Sequence, residues 1–232
     1  MKKLLSSFLC LVFISTLVSS AIFADNSSSY YDGYEILSTT EGQIELDNGL
    51  DGTYTRVEIK GTAEDLEQLI SKLNNEGHSI MKKPEINEDE VTPMLGFGEG
   101  QWRGTLCDRS FEDLWMCNYP IINFSWRLGG LTGAAINGNV TSQITGPAKV
   151  YTNMKTTPRA RVIGYGLTGR DSFVIGTYDF KSTNNGTLVS WDFDEIAAGV
   201  FVYVELFGGA DYSFNEYGIA RSKTIWAPLV KQ

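Results

Sequence analysis

From Phe97 onward, apolar and polar positions alternate in short runs separated by Gly, Asn, Asp or Pro, the period-two pattern of strands with one buried face. The runs are Ile121–Leu128, Ala134–Thr145, Ala148–Met154, Arg159–Leu167, Ser172–Lys181, Thr187–Phe193, Val200–Phe207 and Asp211–Trp226. So many strands in so short a stretch predict an antiparallel β-sandwich or jelly-roll-like domain over residues 97–232. Val200 to Val204 is apolar at every position and predicts a central strand, and Asn184-Asn185-Gly186 predicts a hairpin turn.

Ahead of Phe97 the pattern changes. Gln43–Leu46 and Tyr54–Lys60 alternate on either side of a turn, and then Ala63, Leu66, Leu69, Ile70 and Leu73 recur at helical spacing. Thr62 with Asp65 three residues on is an N-terminal capping pair, and Gly77 is placed to end the helix. With the short run Ser79–Met81, these elements predict a small acidic β-β-α-β module over residues 25–83. Residues 84–96 hold Pro84, Pro93 and the clustered Glu88, Asp89 and Glu90. Such a stretch is too polar to bury itself and reads as a flexible linker.

Residues 1–24 differ from both. Lys2 and Lys3 precede an apolar run, Leu4 to Val18, and the small-residue segment Ser19 to Ala24. The run is shorter than the roughly 20 residues of a membrane-spanning helix, and the order of parts predicts a signal peptide cut near Asp25. The expected localisation is secreted, from a bacterial source. Cys10 leaves with that segment, so Cys107 and Cys117 remain as an even pair, and a disulfide is expected between them.

Charge narrows the partners. Asp25 to Gly96 carries 16 acidic and 5 basic side chains, whereas Phe97 to Gln232 carries 12 of each. Neither half offers the basic block that attracts phosphate backbones, so nucleic acid is not an expected partner. The chain has a single histidine. That rules out the usual imidazole-dependent hydrolase and multi-histidine zinc arrangements, and His78 reads as a turn residue just past the helix.

Four sets of residues remain as candidate chemistry. Asp47, Asp51, Gly52 and Glu58 fall at positions one, five, six and twelve of an EF-hand-type calcium loop, which makes calcium the one cofactor the sequence offers. Gly49 stands at a ligand position, however, and a hairpin turn accounts for the same residues. Asp192 and Asp194 would share a strand face about 7 Å apart, a spacing that suits paired carboxylates in glycoside hydrolysis; solvated turn acids are the plainer reading. Gly129 to Gly138 is dense in small residues and reads as a tight loop and strand start, or as a membrane-inserting hairpin. Trp102 and Trp115, near the cysteines and flanked by polar residues, are the aromatics expected at the surface, where they can stack on sugar faces.

With no nucleophile–base pair, zinc set, phosphate loop or basic patch, the leading expectation is a secreted, noncatalytic protein that binds an extracellular glycan or protein surface. The alternative is a membrane-active toxin or bacteriocin-like protein whose acidic N-terminal part is a removable pro-region; only under that reading is a membrane the partner. A secreted glycoside hydrolase using Asp192 and Asp194 is the third reading.

Overall fold

A computed structural model describes residues 33–45, 51–82, 100–127, 133–199 and 201–232. The signal-type segment 1–24 and the expected linker 84–96 lie outside the described residues. The elements are β1 (Ile36–Glu45), β2 (Asp51–Lys60), α1 (Ala63–Asn75), β3 (Ile80–Lys82), β4 (Gly100–Arg103), β5 (Leu106–Asp108), β6 (Trp115–Arg127), β7 (Gly133–Thr145), β8 (Tyr151–Leu167), β9 (Ser172–Lys181), β10 (Leu188–Ala198), β11 (Tyr203–Glu216), β12 (Ile219–Pro228) and β13 (Val230–Lys231).

They form an antiparallel β-sandwich. One sheet has seven strands in the order β1-β2-β9-β8-β11-β12, with β3 paired to β11 beyond the end of β12. The other has six in the order β10-β7-β6-β4-β13, with β5 paired to β6 beyond β4. Between the sheets, Val162, Phe180, Val204 and Leu206 meet Ile122, Phe124, Ile136, Val140, Trp191 and Phe193 in the main core. A second cluster, including Leu114, Met116, Ile144, Tyr151, Tyr212 and Phe214, fills the other end. There the Tyr212 hydroxyl donates to Asn118 Oδ1 (2.7 Å), and Asn118 Nδ2 donates to the Ile225 carbonyl (3.1 Å), so these buried polar groups are satisfied.

The approach of the sheets is close enough to dictate residue size. A side chain at Gly208 on β11 would place its Cβ 2.1 Å from Pro120 Cβ on β6. The Pro120 ring cannot swing away, so only glycine fits there. Pro120 itself lies opposite the gap between β4, which pairs with residues 121–124, and β5, which pairs with residues 116–118. A missing N–H is tolerated where neighbouring pairing is interrupted.

The outer face of the seven-stranded sheet is roofed by α1. Register places Val57, Ile59, Phe173, Ile175, Ile163 and Tyr165 on that face, and all are buried. The helix turns Leu66, Leu69, Ile70 and Leu73 inward. Its capping box, Thr62 with Asp65, forms as expected, and Gly77 takes a positive φ of 96° after the last turn. The Gly77 and His78 amides donate to the Asn74 and Leu73 carbonyls, a Schellman ending.

The strand pairing corrects the expected division of the chain. The β-β-α-β run forms, but β2 pairs with β9 along its whole length and β3 pairs with β11. Ile36–Gln232 is consequently one compact unit, because the apolar face of the front strands continues the larger sheet. Three local expectations also change. Arg159–Leu167 and the strand before it merge into β8, with Asn153 (φ 53°) forming a bulge at the register shift against Ser213 and Asn215. Asp211–Trp226 is not one strand; it turns at Tyr217 and Gly218, both at positive φ, as a two-residue hairpin requires. Asn184-Asn185-Gly186 joins strands of different sheets rather than a hairpin, and Gly186 bridges to Thr156.

Candidate functional site

The six-stranded sheet has no roof among the described residues, and its outer face carries the chemistry. Strand alternation sends Trp115, Tyr119, Ile121 and Asn123 outward from β6, with Thr145, Gln143, Thr141, Asn139 and Asn137 beside them on β7 and Ser190, Asp192 and Asp194 beyond on β10. At one end of this face is a cleft of about 570 Å³, lined by Trp115, Tyr119, Gln143, Thr145, Asp113 and the Cys107–Cys117 disulfide among others. That volume is within the range of small-molecule sites.

The disulfide is cross-strand: Cys107 on β5 lies opposite Cys117 on β6, with their Cα atoms 4.1 Å apart. It closes the loop that forms the rim of the cleft, and the loop is tied down again further along. Lys223 Nζ donates to Asp108 Oδ2 (2.6 Å) and Ser110 Oγ (2.9 Å). Although burial opposes it, hydrogen bonds from Lys223 and Ser110 hold the Asp108 carboxyl below its ordinary range. Phe111 packs edge-on against Phe214, and Leu114 is fully buried. The Arg109 guanidinium then lies 3.5 Å from the centre of the Trp115 ring and fixes the indole by a cation–π contact.

From the cleft, hydrogen-bonded side chains extend across the sheet. Asn139 Nδ2 donates to Ser190 Oγ (2.7 Å) and Asp192 Oδ1 (2.9 Å), and Thr141 Oγ1 donates to Asn139 Oδ1 (2.8 Å). One row further, Asn123 Nδ2 donates to Asn137 Oδ1 (2.9 Å), and Gln101 Nε2 to Asn123 Oδ1 (3.4 Å). Arg103 closes that row by donating to Gln101 Oε1. These bonds hold planar amides at fixed orientation on a flat support, with donor and acceptor capacity left over.

The expected site residues divide around this face. Trp115, with 46 % of its surface exposed, is where the sequence reading puts it, whereas Trp102 is only 7 % exposed and belongs to the core. Trp102 alternates inward on β4 because its strand partner Ile122 faces the core. Trp115 is the one exposed tryptophan of the five. Asp192 and Asp194 both face outward and are exposed, joining the amide field rather than a turn; Glu195 between this pair and the strand end points to the opposite, buried side. Of the calcium candidates, Asp47 lies outside the described residues. Asp51 and Glu58 stand seven residues apart on the extended β2, roughly 23 Å, so they cannot share one ion. Glu58 instead accepts hydrogen bonds from Ser38 and Thr168. Among the described residues no group of three His, Cys, Asp or Glu side chains gathers as metal ligands would, and no helix is long and apolar enough to cross a membrane. Of the small-residue run, residues 129–132 lie outside the described residues, and Gly133 opens β7 opposite Ala198, where a Cβ would meet the Ala197 carbonyl oxygen at 2.3 Å.

Tyr119, Asn123, Asn137, Asn139 and Gln143 are functional candidates that the sequence reading passes over. The signal for the three on β7 is the outward half of the alternation in Gly133–Thr145, where amides and hydroxyls recur at every second position from Asn137; Tyr119 and Asn123 face outward in the alternation of β6. A second group, away from this face, is also new. His78 leaves the helix end and places Nδ1 2.7 Å from Glu205 Oε1, while the Tyr165 hydroxyl donates to Glu205 Oε2 (3.3 Å). Glu205 lies under α1 with its side chain 3 % exposed. This cluster has the closed geometry of a structural buried pair. No family model matches this chain, and neither does any curated protein or solved structure.

Proposed function

We propose that this chain is a secreted, noncatalytic protein that binds an extracellular glycan on the outer face of the six-stranded sheet. The observation that carries the reading is the exposed Trp115, fixed by Arg109 and set with Tyr119 in a cleft that opens onto a field of oriented amides. A sugar ring has an apolar C–H face and a rim of hydroxyls. The first stacks on an aromatic plate, and the second needs groups that donate and accept at defined angles. The cleft supplies the plate and the β6–β7–β10 surface the amides. Secretion is supported by the Lys2-Lys3 and apolar-run segment, and the disulfide is compatible with it.

The test is retention of the folded protein on insoluble polysaccharides and isolated cell walls. Wild type should be retained, and Trp115→Ala should weaken binding by about tenfold or more, as the loss of a central aromatic anchor does. Trp102→Phe, a change confined to the core, should leave binding intact. Equal retention of Trp115→Ala and wild type would end the proposal.

One observation favours a second reading, hydrolysis of the bound glycan: Asp192 and Asp194 share the amide face, two residues and about 7 Å apart along β10. Turnover of a retained polysaccharide that disappears in Asp192→Asn would establish it. Binding without turnover, unchanged in that variant, supports the noncatalytic reading.

A further inference from the structure

The glycan-binding surface has a length and a charge, and together they narrow its ligand. Trp115 and Asn123 are eight residues apart on β6, a separation of roughly 27 Å in extended chain. Between them on the same face are Cys117, Tyr119 and Ile121, with the hydroxyls and amides of β7 alongside. The aromatic cleft at one end and the Gln101–Asn123–Asn137 row at the other are thus two ends of one continuous strip, far too long for a single sugar to span. The row at the far end is also a built feature. Asn123 and Asn137 bond to each other across the strands, which orients both amides and leaves Asn137 Nδ2 as a donor toward solvent.

The carboxylates beside the strip narrow the ligand further. Among the described side chains of this face, the Arg103 guanidinium donates to Gln101 Oε1 and that of Arg109 stacks on the Trp115 ring, and both keep their charge. The carboxylates, Asp192 and Asp194 on β10 and Asp113 in the cleft wall, are exposed. An acidic sugar over β7 and β10 would meet the exposed carboxylates of Asp192 and Asp194, whereas hydroxyls and neutral amides find partners at every row.

We propose that the ligand is a linear, uncharged polysaccharide chain that lies along β6 and β7 and is held by several consecutive sugars, one stacked in the Trp115–Tyr119 cleft and others on the amide row. This rests on the glycan-binding reading above and adds the direction, length and charge of the bound chain.

Titration calorimetry of the folded protein against graded oligosaccharides tests it, with cello-, xylo-, manno- and chito-oligosaccharides as the uncharged series and oligogalacturonides as the acidic one. In at least one uncharged series the affinity should rise by about tenfold or more from disaccharide to hexasaccharide, because added sugars bind as tethered contacts. It should change little between low and high salt. Asn123→Ala and Asn137→Ala should weaken the hexasaccharide several-fold and leave the disaccharide unchanged, while Trp115→Ala weakens both. A disaccharide and hexasaccharide bound within twofold, a preference for the oligogalacturonides, or indifference of the hexasaccharide to Asn123→Ala and Asn137→Ala overturns the proposal and leaves glycan binding itself standing. Failure of the folded wild type to bind any series, soluble or insoluble, overturns both.

Discussion

Glu205 shows how much one residue can depend on its surroundings. Burial under α1 is the largest influence on its carboxyl and pushes it above its ordinary value of 4.5, with the charge and hydrogen bond of His78 and the hydroxyl of Tyr165 pulling it back only in part. A carboxyl raised in the folded state contributes its full stability when protonated, below the ordinary value, and that contribution fades as pH rises through the higher folded value. Glu205→Gln imitates the protonated form. In thermal melts the variant should therefore gain on the wild type as pH rises from about 5 to about 8; a difference that stays constant across that range would show that Glu205 titrates alike in the folded and unfolded chains. None of this was legible in the sequence. Glu205 sits in an apolar run, and its partner His78 lies 127 residues away, joined to it only through β3 pairing with β11.

At the scale of elements, the disulfide loop should behave as a staple on a fold that stands without it. The loop closes over a sequence separation of 10, and the variant Cys107→Ala with Cys117→Ala should lose roughly 2 to 3 kcal/mol in urea unfolding. It should still fold, since Leu114, Phe111 and the Asp108–Lys223 pair hold the same segment. Loss of all cooperative unfolding would mean that the loop depends on the bond alone. Elements were legible where the signal was local. The helix could be read residue by residue, because Thr62, Asp65, Leu66, Leu69, Ile70, Leu73 and Gly77 each act within one or two turns. The β8 strand was not, because its continuity past Pro158 depends on pairing with β11 through Ala210, which no local pattern encodes. Tyr217-Gly218 is hard to read for a different reason: tyrosine is not a usual residue at positive φ, so the turn does not stand out from its flanking strands. The binding face was half legible, since Trp115 stood out by residue type while the amides of β7 acquire meaning only when Asn123 and Asp192 arrive from neighbouring strands.

For the whole molecule, the continuity of the seven-stranded sheet has a direct consequence. A chain beginning at Phe97 would lack β1, β2, α1 and β3 and would bare Ile163, Tyr165, Phe173 and Ile175 to water. Such a chain should fail to unfold cooperatively, whereas the protein with those elements should show one transition by circular dichroism and tryptophan fluorescence alike. Two transitions, with a stable fragment from Phe97, would restore the two-module division and with it the pro-region that the membrane-active reading needs. Among the described residues one sheet is roofed by α1 and the other is not. Were the proposed binding face to seat on a wall, α1 on the opposite sheet would turn toward the medium, and the exposed side chains of that helix and its cap include Glu64, Glu67 and Glu76 against Lys72. A layer of this protein would then hide the neutral sugars beneath it and show the outside a negative coat.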